Sequence, residues 1–150
     1  QKCVELGVYA VIPMSMKRCV VKLDDKKASS KLTRWQGIAE AAAKQSKRGI
    51  IPQITKVMTF AQALEYSRTA QVRLVPYELA EGMDRTREII EQIQPGQDIA
   101  VFIGPEGGFD EAEIGKVIEA GTQPITLGKR ILRTETAGMT VLSILMYHLE

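Results

Sequence analysis

Two cysteines and a single histidine in 150 residues leave little material for a metal site or a disulfide framework. Cys3 and Cys19 have no metal-ligand spacing, so no metal is expected. Both sit beside apolar residues, and we expect buried free thiols in a reducing compartment rather than a bridge. Long apolar runs are missing too. None approaches the roughly 20 residues that a membrane span needs, and no secretion signal is recognisable, so a cytoplasmic location is expected. The lone histidine, His148, reads as a helix-end residue rather than a catalyst. Net charge is only +2, but it is unevenly placed. Residues 1–50 carry 11 Lys or Arg against 4 Asp or Glu, and residues 51–150 carry 9 against 14. That asymmetry permits a polyanion-binding face at one end, although a solvated helix surface would look the same.

What is present is a regular alternation of strand-like and helix-like segments. The chain starts at Gln1, and residues 1–6 read like helix interior, so we expect a missing N-terminal part ahead of them. Gly7 suits a helix C-terminus. Residues 10–13 and Cys19-Val20-Val21-Lys22-Leu23 are strand candidates, and Ser29-Ser30 offer helix caps. Leu32, Trp35, Ile38, Ala39 and Ala42 recur at helical spacing over residues 31–47, closed by Gly49. A second helix follows Thr59. Residues 72–76 read as a strand and 83–93 as a helix, with Pro95-Gly96 as a turn. Residues 99–103 are almost wholly apolar, as in a central parallel strand buried on both faces. Asp110 and Glu113 form a capping-box pattern for a helix bearing Ile114, Val117 and Ile118, ended by Gly121. A strand at 124–127 and a last helix with Ala137, Val141, Leu142, Leu145 and Leu149 complete the chain. The pattern predicts one α/β domain over residues 1–150 with a mainly parallel sheet.

Two loops stand out. Ile103-Gly104-Pro105-Glu106-Gly107-Gly108-Phe109 follows a strand and precedes a capped helix, where open α/β sheets place ligands. The glycines allow close backbone approach. No Gly-x-x-x-x-Gly-Lys-Ser/Thr or Gly-x-Gly-x-x-Gly is present, and Glu106 inside the loop would repel a pyrophosphate. It could attract a cation or accept from a hydroxyl or amine. A tight turn with no ligand is the plain alternative. The second loop, Leu127-Gly128-Lys129-Arg130-Ile131-Leu132-Arg133, again joins a strand to a helix. Ile131 and Leu132 offer an apolar surface for a flat ring. Thr134, Glu135 and Thr136 suit either helix capping or a chemical role.

Together the loops resemble the RsmE family, the uridine N3-methyltransferases of small-subunit ribosomal RNA within the SPOUT superfamily. The similarity also runs through Gln1-Lys2, Glu5-Leu6-Gly7-Val8, Ile12-Pro13, Arg18, Val20, Arg34-Trp35, Ile38-Ala39, Ala42-Ala43-Lys44-Gln45-Ser46, Arg48 and Pro52. Its most specific stretches are residues 103–109 with Glu113, and 127–137. Gly138 and Met139 stand where the family usually has alanine and leucine. The resemblance implies a SPOUT-type sheet with a deep C-terminal trefoil knot, which is otherwise nearly absent from proteins. It implies a homodimer and S-adenosyl-L-methionine held bent in the knot by three loops. The cofactor residues would be Leu74, Val75 and Pro76, then Ile103, Gly104, Glu106 and Gly107, then Leu127, Gly128, Ile131, Leu132 and Ala137. The family's N-terminal RNA-binding barrel and first sheet strand are expected to be absent from this chain.

On that resemblance, Arg133 is expected to bind RNA phosphate or stabilise a uracil oxyanion, and Glu135 or Glu106 to orient or accept the N3 proton. Arg18, Lys22, Lys26, Lys27, Arg34, Lys44, Lys47 and Arg48 are candidates for contact with the ribosomal RNA backbone. Trp35 reads as core. Other readings are a knotted methyltransferase with another RNA target and a non-catalytic RNA-binding assembly factor.

Overall fold

Helix ends are fixed locally by where the backbone leaves the right-handed region. The computed structural model describes residues 1–19, 25–78, 80 and 82–150. In order these form α1 (Lys2–Glu5), β1 (Ala10–Val11), β2 (Met14–Ser15), α2 (Asp25–Gln45), β3 (Gln53–Ile54), β4 (Met58–Thr59), α3 (Phe60–Ser67), β5 (Val72–Pro76), α4 (Met83–Glu91), β6 (Ile99–Val101), α5 (Glu111–Glu119), β7 (Gln123–Ile125) and α6 (Thr134–Leu149). Gly7 and Gly121 take positive φ beyond α1 and α5. At each, paired bonds close the helix: Val8 N to Cys3 O with Gly7 N to Val4 O, and Thr122 N to Val117 O with Gly121 N to Ile118 O. These satisfy carbonyls that a helix end otherwise leaves open.

Helix α2 departs from expectation at both ends. It already runs at Asp25, so Ser29 and Ser30 lie inside it rather than capping it. The hydroxyl of Thr33 donates to the Ser29 carbonyl at 3.2 Å. Both serines are exposed, and an exposed helix face tolerates cap-type residues. At the other end Lys47, with φ 58°, takes the left-handed position assigned to Gly49. Arg48 N bonds Ala43 O, and Lys47 N bonds Lys44 O. Except for Cys19, the strand expected over residues 19–23 lies outside the described residues, as does Lys22. Trp35 is half-buried rather than core.

Every strand pairing among the described residues is parallel, as the alternation of elements predicted. β1 pairs with β3, β2 with β4, and the third sheet has the order β6-β5-β7. The central strand is therefore β5, and β6 lies at an edge. The apolar run at 99–103 signalled contact on both faces but carried no information on neighbour order. It is also only partly buried over 99–101. Pro124 is accommodated within β7 because that strand is paired on one side only.

Alternation along β5 sends Leu74 and Val75 to opposite faces. Leu74 joins Ile89 and Ile90 of α4, Ile93 just beyond it, Ile125 of β7, and Val141 and Leu145 of α6. Val75 joins Ala63, Phe102, Ile114 and Val117 against α3 and α5. The sheet is thus covered on both faces, as parallel sheets require. Ile118, expected inward on α5, is exposed. A third cluster of Val4, Ala39, Ala42 and Ala43 packs α1 against α2 through small side chains. Arg48 secures this corner, donating to the carbonyls of Val4 at 3.0 Å, Val8 at 2.6 Å and Gly7 at 3.2 Å. Its guanidinium thus ties α2 to α1 and to the turn that follows α1.

Candidate active site

The carboxyl ends of β5, β6 and β7 all open onto one cleft of about 790 Å³. Its walls come from Arg18 and from three stretches far apart in sequence: residues 76–78, 103–109 and 126–135 with Ala137. Hydrogen bonds hold these walls in register. Phe102 N donates to Leu74 O at 2.9 Å, and Tyr77 N to Ile125 O at 2.9 Å. The hydroxyl of the first α6 residue, Thr134, donates to Gly104 O at 3.2 Å and ties the two long loops together. On the β7 side, Thr126 N donates to the buried Thr86 hydroxyl at 2.9 Å, and Gly128 N to the Thr126 hydroxyl at 3.3 Å.

The first glycine loop uses its glycines in different ways. Gly108 N bonds Pro105 O at 2.8 Å, making a tight turn with Gly108 at φ 69°. A side chain at Gly104 would put its Cβ 3.1 Å from the Phe109 ring, so this glycine lets the aromatic fold back over the loop. Phe109 itself packs on the core cluster around Val75. Behind the loop, Asp110 caps α5 by accepting from Glu113 N at 2.8 Å, and Glu113 accepts from Asp110 N at 3.0 Å. That reciprocal pair is the predicted capping box. The Asp110 carboxyl is held below the usual carboxylate range, chiefly by the Glu113 backbone N–H and then by the Lys17 ammonium.

Of the cofactor residues expected from the sequence, Pro76, Ile103, Gly104, Glu106, Gly107, Leu127, Gly128, Ile131, Leu132 and Ala137 all line the cleft. Leu74 and Val75 do not. Both are fully buried in the two core clusters, one to each face of the sheet. Arg133 and Glu135 line the cleft at the start of α6, both exposed. Neither side chain has a hydrogen-bond or ion-pair partner among the described residues. Thr134, considered as a cap, bonds the glycine loop instead; the N-cap is Arg133, which makes no side-chain cap bond.

Sequence reasoning missed Tyr77, Glu78 and Phe109 as lining residues. The strand ending at Pro76 marked where to look, but residues just beyond a strand carry no periodicity. It also gave no sign that Arg18 meets the glycine loop. This side chain lines the cleft, and its Nη1 donates to Gly107 O at 3.0 Å and to Phe109 O at 3.4 Å. No local pattern announces a contact 89 residues away.

The chemistry of the lining points to a ligand of mixed character. Among the described residues it holds four cations, Arg18, Lys129, Arg130 and Arg133, and three carboxylates, Glu78, Glu106 and Glu135. Ile131 stands 83% exposed beside the half-buried Leu127 and Leu132, an apolar surface with little protein against it. A flat apolar ring bearing both positive and negative groups fits this set better than a polyphosphate does.

Comparison with known proteins shows the family. Residues 1–146 match the family model of the RNA methyltransferase domain. The chain belongs to that family. This RNA methyltransferase domain is 40% identical to the ribosomal RNA small subunit methyltransferase E of Bacillus subtilis over 153 residues, covering 100% of this chain and 60% of that protein. It is 38% identical to the enzyme of the same name from Mesomycoplasma hyopneumoniae, covering 95% and 60% respectively. Among solved structures, a Legionella pneumophila methyltransferase in complex with its bound cofactor SAM superposes with a TM-score of 0.89 at 35% identity, covering 98% of this chain and 58% of that one. Ribosomal RNA small subunit methyltransferase E of Neisseria gonorrhoeae, bound to S-adenosyl methionine, superposes with a TM-score of 0.82 at 34% identity, covering 99% and 58%. The domain therefore spans about 60% of the length of the curated relatives that head this comparison.

Proposed function

We propose that this domain is the catalytic part of an S-adenosyl-L-methionine-dependent methyltransferase that modifies N3 of a uridine in small-subunit ribosomal RNA. The observation that carries the reading is the three-loop cleft at the carboxyl ends of β5, β6 and β7, in a family whose solved relatives hold this cofactor. Residues 1–150 form one SPOUT-type domain in this reading, with a deep trefoil knot near its C-terminal end and a cytoplasmic location. A homodimer belongs to the same proposal. It is supported by a shallow groove on α6 lined by Thr136, Met139, Thr140, Ser143, Ile144 and Tyr147, with Tyr147 90% exposed. Sedimentation as a monomer at micromolar concentration would remove the dimer.

The bound cofactor supplies an electrophilic methyl group. Leu127, Ile131 and Leu132 would hold the faces of its adenine, and the backbone of both loops would read the ring edge. Glu106 offers its carboxylate to the cationic end of the ligand. Arg133 and Glu135 both line the cleft at the start of α6, so both are open to the acceptor base. Arg133 donates to an RNA phosphate or to the uracil oxygen that gains negative charge as the N3 proton leaves. Glu135 accepts or orients that proton, with Glu106 as the alternative. The main contribution is alignment of the acceptor with the methyl group, which removes much of the entropic barrier.

The test uses the full-length protein. Calorimetry with S-adenosylmethionine is expected to show one site per chain. Methyl transfer to assembled small subunits and to naked RNA, with mapping of the modified base, is expected to give N3-methyluridine. No cofactor binding at millimolar ligand would leave an RNA-binding assembly factor as the better reading. A product at another position would keep the enzyme and change its target.

A further inference from the structure

Three consecutive residues, Met16, Lys17 and Arg18, lie beside the glycine loop and the start of α5. Met16 is buried. Lys17 N donates to Glu113 Oε1 at 3.2 Å, and Lys17 Nζ meets Asp110 Oδ2 at 3.0 Å. Arg18 Nη1 bonds the carbonyls of Gly107 and Phe109. A side chain at Gly107 would bring its Cβ within 3.3 Å of Arg18 Cβ, so backbone and arginine stem are already in contact. Four hydrogen bonds from Lys17 and Arg18 thus fasten residues 107–113. Among the described residues, two other bonds tie the loop ahead of Phe109: the turn from Gly108 N to Pro105 O, and the Thr134 hydroxyl to Gly104 O.

We propose that Arg18 is a positioning residue, setting the shape of the loop that carries Glu106 rather than gripping RNA phosphate. The inference rests on the cleft being the cofactor site. Its physical basis is that a stretch rich in glycine is soft, because each glycine gives up more conformational freedom on ordering than any other residue. Carbonyl oxygens that face no N–H need another donor, and a guanidinium supplies several donors from one rigid plane. The Gly107 and Phe109 carbonyls flank Gly108, the loop residue at positive φ. Holding both at once fixes the peptide planes on either side of that turn, and so fixes where Glu106 begins.

Amide hydrogen exchange at Gly108, whose N–H bonds Pro105 O, gives a test independent of ligand in cofactor-free protein. Arg18→Ala is expected to speed exchange there about tenfold, the scale of one charge-assisted hydrogen bond, and to leave β5 protected. In turnover assays the KM for S-adenosylmethionine should rise by a similar factor, with kcat at saturating cofactor unchanged. RNA affinity and its salt dependence should match the wild type. Arg18→Lys, which keeps the charge but not the fork, should restore part of both effects and serves as the readable variant if the alanine protein does not fold. The proposal is overturned if loop exchange and cofactor KM stay at wild-type values, above all if the salt slope of RNA binding falls by about one. Failure of the wild type to bind the cofactor would sink the methyltransferase reading alone, since the exchange result would still decide the role of Arg18.

Discussion

Thr134→Val is the substitution that most directly probes how the cleft is held together. Thr134 Oγ1 donates to Gly104 O across 3.2 Å, the one side-chain bond described between α6 and the glycine loop. Valine keeps the shape and the β-branch, and its helix preference is close to that of threonine, so the hydroxyl is essentially all that changes. The bond is neutral, rather long and half-buried, which places its net contribution at about 1 kcal/mol. For a chain of this length that corresponds to a fall in Tm of about 2–4 °C. Freed from α6, the loop must be re-ordered when ligand enters, and the same 1 kcal/mol appears as about a fivefold weaker cofactor Kd. Urea unfolding and calorimetry read the two effects separately. Thr134→Ser is the control: it keeps the oxygen and should hold affinity near the wild type. If the valine protein matches wild type and serine variant in both assays, the two loops are not coupled through this bond and the account of the cleft is wrong.

Three further outcomes are expected. Arg133→Ala and Glu135→Gln should each lower turnover about a hundredfold while leaving cofactor affinity nearly intact; wild-type rates in both would remove the assignment. Thr122 is 2% exposed and its hydroxyl has no partner among the described residues, so Thr122→Val should raise stability by about 1 kcal/mol, read as a higher urea midpoint, whereas destabilisation would mean the hydroxyl is satisfied after all. The depressed Asp110 carboxyl stabilises the fold above its unfolded pKa of about 3.9, and that contribution is lost as pH falls through its lower folded value. Acid titration of Asp110→Asn should therefore show a shallower loss of stability below about pH 4 than the wild type does.

Much of the site was readable because it is local. Residues 103–109 and 127–133 each combine a strand end, glycines and a helix start within a dozen positions, and those features survive without knowledge of the fold. The capping box at Asp110 and Glu113 is likewise a three-residue pattern. What was hidden depends on residues distant in sequence. Leu74 and Val75 have the composition of a loop wall and of a strand core equally, and only the layers on both sides of β5 show that they belong to the core. Arg18 and Arg48 looked alike, as basic residues in a basic stretch. Arg18 is committed to the carbonyls of the glycine loop and Arg48 to those of α1, a distinction that charge counting cannot make. The left-handed turn at Lys47 was assigned to Gly49 because glycine favours that conformation. Closure of α2 by paired backbone bonds to Ala43 and Lys44 was enough to hold a lysine there.

The spread of the cleft along the chain has a kinetic side. One wall holds Arg18, the next begins at Pro76 and the last ends at Ala137. During synthesis there is no complete binding surface until nearly the whole stretch has emerged and its parallel strands have paired, a slow step for contacts so distant in sequence. A ligand that fits the cleft then recognises only finished molecules. At a hundred times its Kd it would deepen their stability by about 2.7 kcal/mol, without touching any partly folded form. The cofactor pool would in that way act on how many copies survive as well as on how fast each one works.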